Sequence, residues 1–266
     1  MSTLLVVACL VAALPVAAAG PNLDEMTWTE VRDALRAGKT TVIIPVGGSE
    51  QSGAHMALGK HNVRVKVLAE RIANELGNAL VAPVVAYVPE GSITPPSQHM
   101  RYAGTVSIPD EAFKAVLDGA ARSYRQHGFT DIVLIGDHGG YQHLLGAVAT
   151  RFNREAAKSR TRVHFMAAYY DTAQAPYNQL LREHGLSQAQ IGSHAGAADT
   201  SLMLATDASL VRANQLTSAQ PDAATLKALG VSGDPGAATT ALGKLGADLI
   251  AARTVQDIRK AVAAAR

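Results

Sequence analysis

Apolar and polar positions fall into two alternating periods along this chain. In "RVKVLAERIANELG", Val65, Leu68, Ile72 and Leu76 recur at helical spacing, and Gly77 marks the stop. "TTVIIPVGG" and "TDIVLIGDHGG" are instead short β-branched runs closed by glycine, the pattern of buried strands over Thr41–Val46 and Asp131–Ile135. "TWTEVRDALRAG" predicts a helix capped by Thr27 or Thr29 and ended by Gly38. "PDEAFKAVLDGAARSYRQHG" predicts another, with Pro109 early and acids in its first turn. "ALVAPVVAYV" predicts a strand that Pro83 confines to an edge or a bulge. "HLLGAVATRFNREAAK" predicts a helix, "TRVHFMAAYY" a strand over Arg162–Tyr169, and "AGAADTSLMLA" a helix starting near His194. The C-terminal third is Ala-rich and mostly helical, broken by "GVSGDPGA". Strands alternating with helices imply βαβ units around a mostly parallel sheet, hence an α/β fold.

Composition narrows this picture. The 266 residues begin with "MSTLLVVACLVAALPVAAAG", which holds no Asp, Glu, Lys or Arg. Its apolar core, Leu4 to Leu14, is short for a bilayer span, and "AAA" at Ala17–Ala19 offers a cleavage site. Residues 1–19 are therefore expected to be a signal peptide, and residues 20–266 one domain of an exported protein, periplasmic or secreted. Cys9 is the only cysteine, so the mature chain has no thiol for a disulfide, a nucleophile or a ligand. Lys+Arg 24 against Asp+Glu 22 leaves a net charge of +2, with no basic excess for a nucleic-acid backbone. No second apolar segment is long enough for a membrane, so the expected partner is a small-molecule substrate.

Candidate chemistry sits in three polar segments. "GGSEQSGAHMALGKHN" follows the first buried strand, "GDHGGYQ" the second, and "GSHAGAADTS" leads into a helix. In parallel sheets such segments gather outside the carboxyl ends of the strands, where ligands bind. Together they carry Glu50, His55, His61, Asp137, His138, His194 and Asp199. Imidazoles and carboxylates suit zinc, and also manganese or iron. The spacing is not the helical HExxH, and no GxSxG elbow supports Ser52 or Ser201 as a nucleophile. His127 and His184 precede glycines at expected helix ends, and His164 lies inside an expected strand. All three read as structural.

Taken together, the motifs resemble the creatininase (creatinine amidohydrolase) family. "IIPVGGSEQSGAHMALGKHN" is similar to the family's first motif, "QHMRYAGTVSI" to its His and Gly-Thr motif, and "LIGDHGGYQ" to its "NGHGGN". "SHAGAADTS" and "GVSGDPGAAT" are similar to the two that follow. This resemblance implies a three-layer α/β/α sandwich with a mostly parallel central sheet. It also implies a divalent-metal amidohydrolase site, and a homo-oligomer that is often a hexamer. The metal ligands it implies here are Glu50, His61 in place of the family's Asp, and His138. The positions of the second metal's ligands carry Ser52 and Gly140, so one metal per subunit is expected, most simply zinc. Asp137 or Asp199 could rebuild a second site. His55 falls outside the primary shell.

The expected activity is opening of a small cyclic amide, a formamide or a related C–N bond by metal-activated water. His194 and Asp199 are the expected acid/base pair, and His99, Asp137 and Tyr141 the substrate-side residues. The family's Trp-bearing substrate loop has no counterpart, because the one Trp, Trp28, is expected in the core. Tyr169, Tyr170 or Tyr177 could supply an aromatic lid. The alternative reading is an exported, non-catalytic small-molecule or metal binder on the same fold.

Overall fold

The computed structural model describes residues 20–216 and 223–266; the expected signal segment lies outside them. Four strands form one parallel sheet: β1 (Thr41–Val46), β2 (Ala79–Val81), β3 (Asp131–Gly136) and β4 (Arg162–Phe165), in the order β2-β1-β3-β4. Every residue of β1 and β3 is buried, as a strand covered on both faces requires. Alternate side chains feed two cores. Ile43, Val133 and Ile135 pack with α2 (Lys60–Leu76), α5 (Ala167–Glu183), α7 (Ala197–Asp207) and α10 (Thr240–Ala264). Val42, Ile44, Ile132 and Leu134 pack on the other face with α1 (Trp28–Arg36), α3 (Asp110–His127) and α4 (Gln142–Glu155). The short helices α6 (Gln188–Ile191), α8 (Ala213–Leu216) and α9 (Ala223–Ala228) complete the chain. The expected three-layer α/β/α sandwich is present.

Local rules explain most boundaries. Thr27 caps α1 through a capping box with Glu30, and left-handed Gly77 and Gly128 end α2 and α3. His184 caps α5 through its Nδ1, which lies 2.9 Å from the Leu180 carbonyl. His164 pairs with Asp131 at 2.9 Å. Pro45 sits inside a central strand, yet costs no ladder bond. Its carbonyl accepts from Val85, so its missing N–H faces the side where β2 has already ended. β2 is an edge strand, as Pro83 required, but it stops at Val81 and the chain rejoins β1 only at a single bridge, Val46 to Val85.

Two expectations are corrected. The strand Arg162–Tyr169 ends at Phe165: the Met166 N–H donates to Leu134, and helix α5 starts at Ala167. Its residues Tyr169 and Tyr177, eight apart, then turn the same way into the core. Trp28 is not a core residue. It is 74% exposed at the start of α1, with the Arg32 guanidinium 5.3 Å from its ring.

Candidate metal centre

Loops at the carboxyl ends of the strands build the site around Glu50. The β1 loop turns back immediately: the Glu50 N–H donates to Leu58 O, and Gly48 donates to the Asn62 side chain. Glu50 is thereby driven to full burial. Its two oxygens face different surroundings. Oε1 accepts from His61 Nε2 at 2.7 Å and has Lys60 Nζ at 3.5 Å and His194 Nδ1 at 3.8 Å. Oε2 has no hydrogen-bond donor, but His99 Nε2 lies at 3.2 Å and His138 Nε2 at 3.3 Å. Burial pushes the Glu50 carboxyl up. The charge and hydrogen bond of His61 and the charge of Lys60 outweigh it and hold the group well below the usual range.

Glu90, absent from the sequence reading, completes this side. It follows β2 and is 1% exposed, with its N–H bonded to Ser107 Oγ at 2.9 Å. Neither of its carboxylate oxygens has a hydrogen-bond partner, and His138 Nδ1 lies 3.4 Å from Oε2. Gly48 makes room for it, since a Cβ there would lie 2.6 Å from Glu90 Oε1. Burial first, then the Glu50 charge, pushes Glu90 up to about 8. One donor atom from each of Glu50, Glu90, His99 and His138 falls within 4.8 Å of the others. Burial holds His138 down to about 3 and lowers His99 as well, so both imidazoles are neutral, the form that ligates. Two neutral imidazoles and two carboxylates with unpartnered buried oxygens fit a divalent ion such as zinc or manganese.

His61 is brought to the site but used differently. Its Nε2 donates to Glu50 and its Nδ1 to Asp137 Oδ2 at 2.6 Å. Burial and Lys60 oppose its proton, but the two carboxylates prevail and its pKa is raised. A ring donating from both nitrogens is an imidazolium and has no lone pair for a metal. Asp137 is saturated by His61, by Arg64 at 2.7–3.1 Å and by the Tyr169 hydroxyl at 2.8 Å. Asp199 accepts from Lys60 and Arg64 at 2.9 Å each, and from the Ala195 N–H. Burial pushes Asp199 up, but the two cations hold it well below its usual range. It is ionised and paired with two cations here.

The other site expectations sort by position. His194 Nε2 donates to Gln51 O at 3.0 Å, which leaves Nδ1 unprotonated; burial holds its pKa down to about 4. His99, Asp137, His138, His194 and Tyr170 line one cavity of about 230 Å³ with the Lys60 and Arg64 side chains. Tyr141 does not reach it. Fully buried, its hydroxyl donates to the Val46 or Gly47 carbonyl and accepts from the His138 N–H, so it fixes loops instead of touching substrate. Of the possible lid tyrosines, Tyr169 and Tyr170 line the cavity and Tyr177 does not; Tyr169 is buried with its hydroxyl on Asp137, and the Tyr170 hydroxyl lies 2.5 Å from where a Cβ on Gly139 would be. His55 is buried against Thr200 and held down to about 4 by burial. Backbone conformation is unusual at two site histidines. Gln98 (φ 49) and Ala195 (φ 55), the neighbours of His99 and His194, are left-handed without being glycine.

A parallel α/β/α sandwich with imidazole and carboxylate donors gathered at its strand ends has the architecture of a metal-dependent hydrolase. The chain belongs to the creatininase family: the family described as creatininase, creatinine amidohydrolase, matches residues 24–258. It is 28% identical over 205 residues to the creatinine amidohydrolase of Pseudomonas putida, covering 75% of this chain and 76% of that one. A mycofactocin precursor peptide peptidase of Mycolicibacterium smegmatis is 31% identical over 119 residues, 43% of this chain and 45% of the other. Among solved structures, a creatininase mutant superposes with a TM-score of 0.78 at 23% identity, over 92% of this chain and 99% of that one. This last likeness concerns the fold.

Proposed function

We propose that this protein is a divalent-metal amidohydrolase that opens a small cyclic amide, a formamide or a related C–N bond, with one metal ion per subunit. Glu50 Oε2, Glu90, His99 and His138 would hold the ion, with Glu90 and His99 in the place first given to His61. One observation carries this reading: three carboxylate oxygens, Glu50 Oε2 and both of Glu90, are buried with no partner beside two neutral imidazoles. Buried carboxyl groups without partners are costly as anions unless a cation completes them, and without one Glu90 keeps its proton up to about pH 8.

When bound, a divalent ion supplies Lewis acidity toward a carbonyl oxygen and lowers the pKa of a water. The chain's own residues do the rest. His194 Nδ1, unprotonated and near Glu50 Oε1, is placed to take a proton in the cavity and pass it to a leaving nitrogen. Tyr170 borders the space left for the substrate. Export from the cytoplasm and assembly into a homo-oligomer belong to the same reading, on the strength of the apolar N-terminal run and the family resemblance.

The test is metal-dependent turnover of a panel of lactams, formamides and cyclic ureas by the purified protein, with Glu50→Gln and His138→Ala controls. Turnover that disappears on chelation and in both variants supports the reading. Tight metal binding without turnover across the panel would favour a non-catalytic binder instead.

A further inference from the structure

Helix α2 delivers three cations to the site from its first turns: Lys60, His61 and Arg64. All three side chains are buried, Lys60 completely. Each pairs with the site's acids. Lys60 Nζ lies 2.9 Å from Asp199 Oδ2 and 3.5 Å from Glu50 Oε1. Arg64 spans Asp137 and Asp199, and His61 spans Glu50 and Asp137. Three carboxylates, Glu50, Asp137 and Asp199, thus meet three protein cations. On this face of Glu50 no acid is left over. Ser52 Oγ, buried and without a hydrogen bond, offers only a neutral hydroxyl, and Gly140 offers no side chain. The opposite face of Glu50 has the unpartnered oxygens.

We propose that the Lys60 ammonium is a built-in cation that occupies the inner face of Glu50, aims Oε2 at the metal seat and leaves no place for a second divalent ion. Lys60 is a positioning residue, since it acts through Glu50 and Asp199. This inference rests on the metal-centre reading above. It carries a consequence that a merely structural lysine lacks. A fixed positive charge a few ångström from the seat repels an incoming ion, so it weakens metal binding while it orders the ligand. Removing the charge should tighten binding. The remaining contacts should keep the fold and the ligand in place, because Glu50 retains His61, and Asp199 retains Arg64 and the Ala195 N–H.

The experiment is calorimetric titration of the metal-free protein with zinc, paired with native mass spectrometry for stoichiometry. Lys60→Met removes charge and hydrogen bond together, Lys60→Gln removes the charge but keeps a donor for Asp199, and Lys60→Arg keeps the charge. The unaltered protein and Lys60→Arg should bind one ion with similar affinity. Lys60→Met and Lys60→Gln should bind zinc about tenfold more tightly, the effect of losing one partly screened like charge. Weaker or unchanged binding in folded Lys60→Gln overturns the inference and leaves the metal centre standing. Two ions in the unaltered protein overturn it as well. No zinc bound by any of the four proteins overturns the metal-centre reading itself, and this inference with it.

Discussion

At the scale of single residues, the site is divided by Glu50. One oxygen belongs to a network of protein cations and the other faces neutral imidazoles and Glu90. Glu90→Gln keeps the shape and removes the charge, so it should weaken zinc binding by about 100-fold, as loss of a ligand exceeds the effect of losing an outer partner. Calorimetry on the folded variant reads this directly; unchanged affinity would mean that Glu90 is not a ligand. The metal-free protein should also have a stability optimum between two limbs. Glu90, raised to about 8 from 4.5, keeps a proton in the folded state that the unfolded chain releases, so its contribution to stability is lost as pH rises from about 4.5 to about 8 and is gone above that, which leaves an alkaline limb between about 6.5 and 8. His138 and His194, lowered to about 3 and 4 from 6.5, bind protons more readily when unfolded, so stability is also lost as pH falls below 6.5. Thermal melts of the metal-free protein from pH 4 to pH 9 measure both limbs, and Glu90→Gln should abolish only the alkaline one.

Among the site residues, the sequence motifs point to Glu50 and His138, and the structure seats their donor atoms together. Glu90 was not legible because it lies in a Pro-Gly bracket, "VPEGS", with no neighbouring ligand type to draw attention to it. The available signal was its position: a lone acid at the carboxyl end of a predicted strand. His61 was legible as a site residue, but its carboxylate partners Glu50 and Asp137 were not legible as a pair, because they are set by tertiary contacts. Tyr141 was misplaced for a similar reason. A tyrosine after a Gly-Gly turn gives no sign in sequence of whether its hydroxyl faces substrate or backbone.

At the scale of elements, α2 and α7 carry the charge network and α10 clamps them. The approach of α10 to α7 is set by Gly243, where a Cβ would lie 1.8 Å from the Ser201 carbonyl oxygen. Gly243→Ala should therefore force the helices apart and destabilise the protein by about 1–3 kcal/mol in a urea melt. Zinc affinity should fall with it, since Asp199 rides on α7. The 3₁₀ turn Gln98–Arg101 that presents His99 begins at left-handed Gln98. Gln98→Gly should relieve about 1 kcal/mol of backbone cost, read as an increase in denaturation midpoint. Strands β1 and β3 and helices α2 and α3 were legible because each shows one clean period. The junction after Phe165 was not. "FMAAYY" is apolar throughout, and a continuous apolar run cannot separate a buried strand from a buried helix.

At the scale of the whole molecule, a parallel sheet covered on both faces leaves one rim for chemistry, the carboxyl ends of its strands. Loops after β1, β2 and β3 bring Glu50, Glu90 and His138 to that rim from three places in the chain. The parallel α/β class was legible from alternation and the three layers from the family resemblance, whereas the convergence of these loops depends on strand order, which periodicity does not encode. Among the described residues no helix is long and apolar enough to cross a membrane. The expected leader leads to a simple outcome: expressed with its own N-terminus in a bacterium with a periplasm, the protein should be recovered from that compartment beginning at Gly20. Edman sequencing checks this.

The central claim is the place and number of the metal. Crystals of the protein grown with zinc and measured across the zinc absorption edge would locate every ion without reference to activity. One anomalous peak per subunit is expected, within coordination distance of Glu50 Oε2, Glu90, His99 and His138, with His61 still bonded to Glu50 and Asp137. A peak bound by His61, a second peak on the Lys60 face of Glu50, or no peak at Glu50 would contradict it.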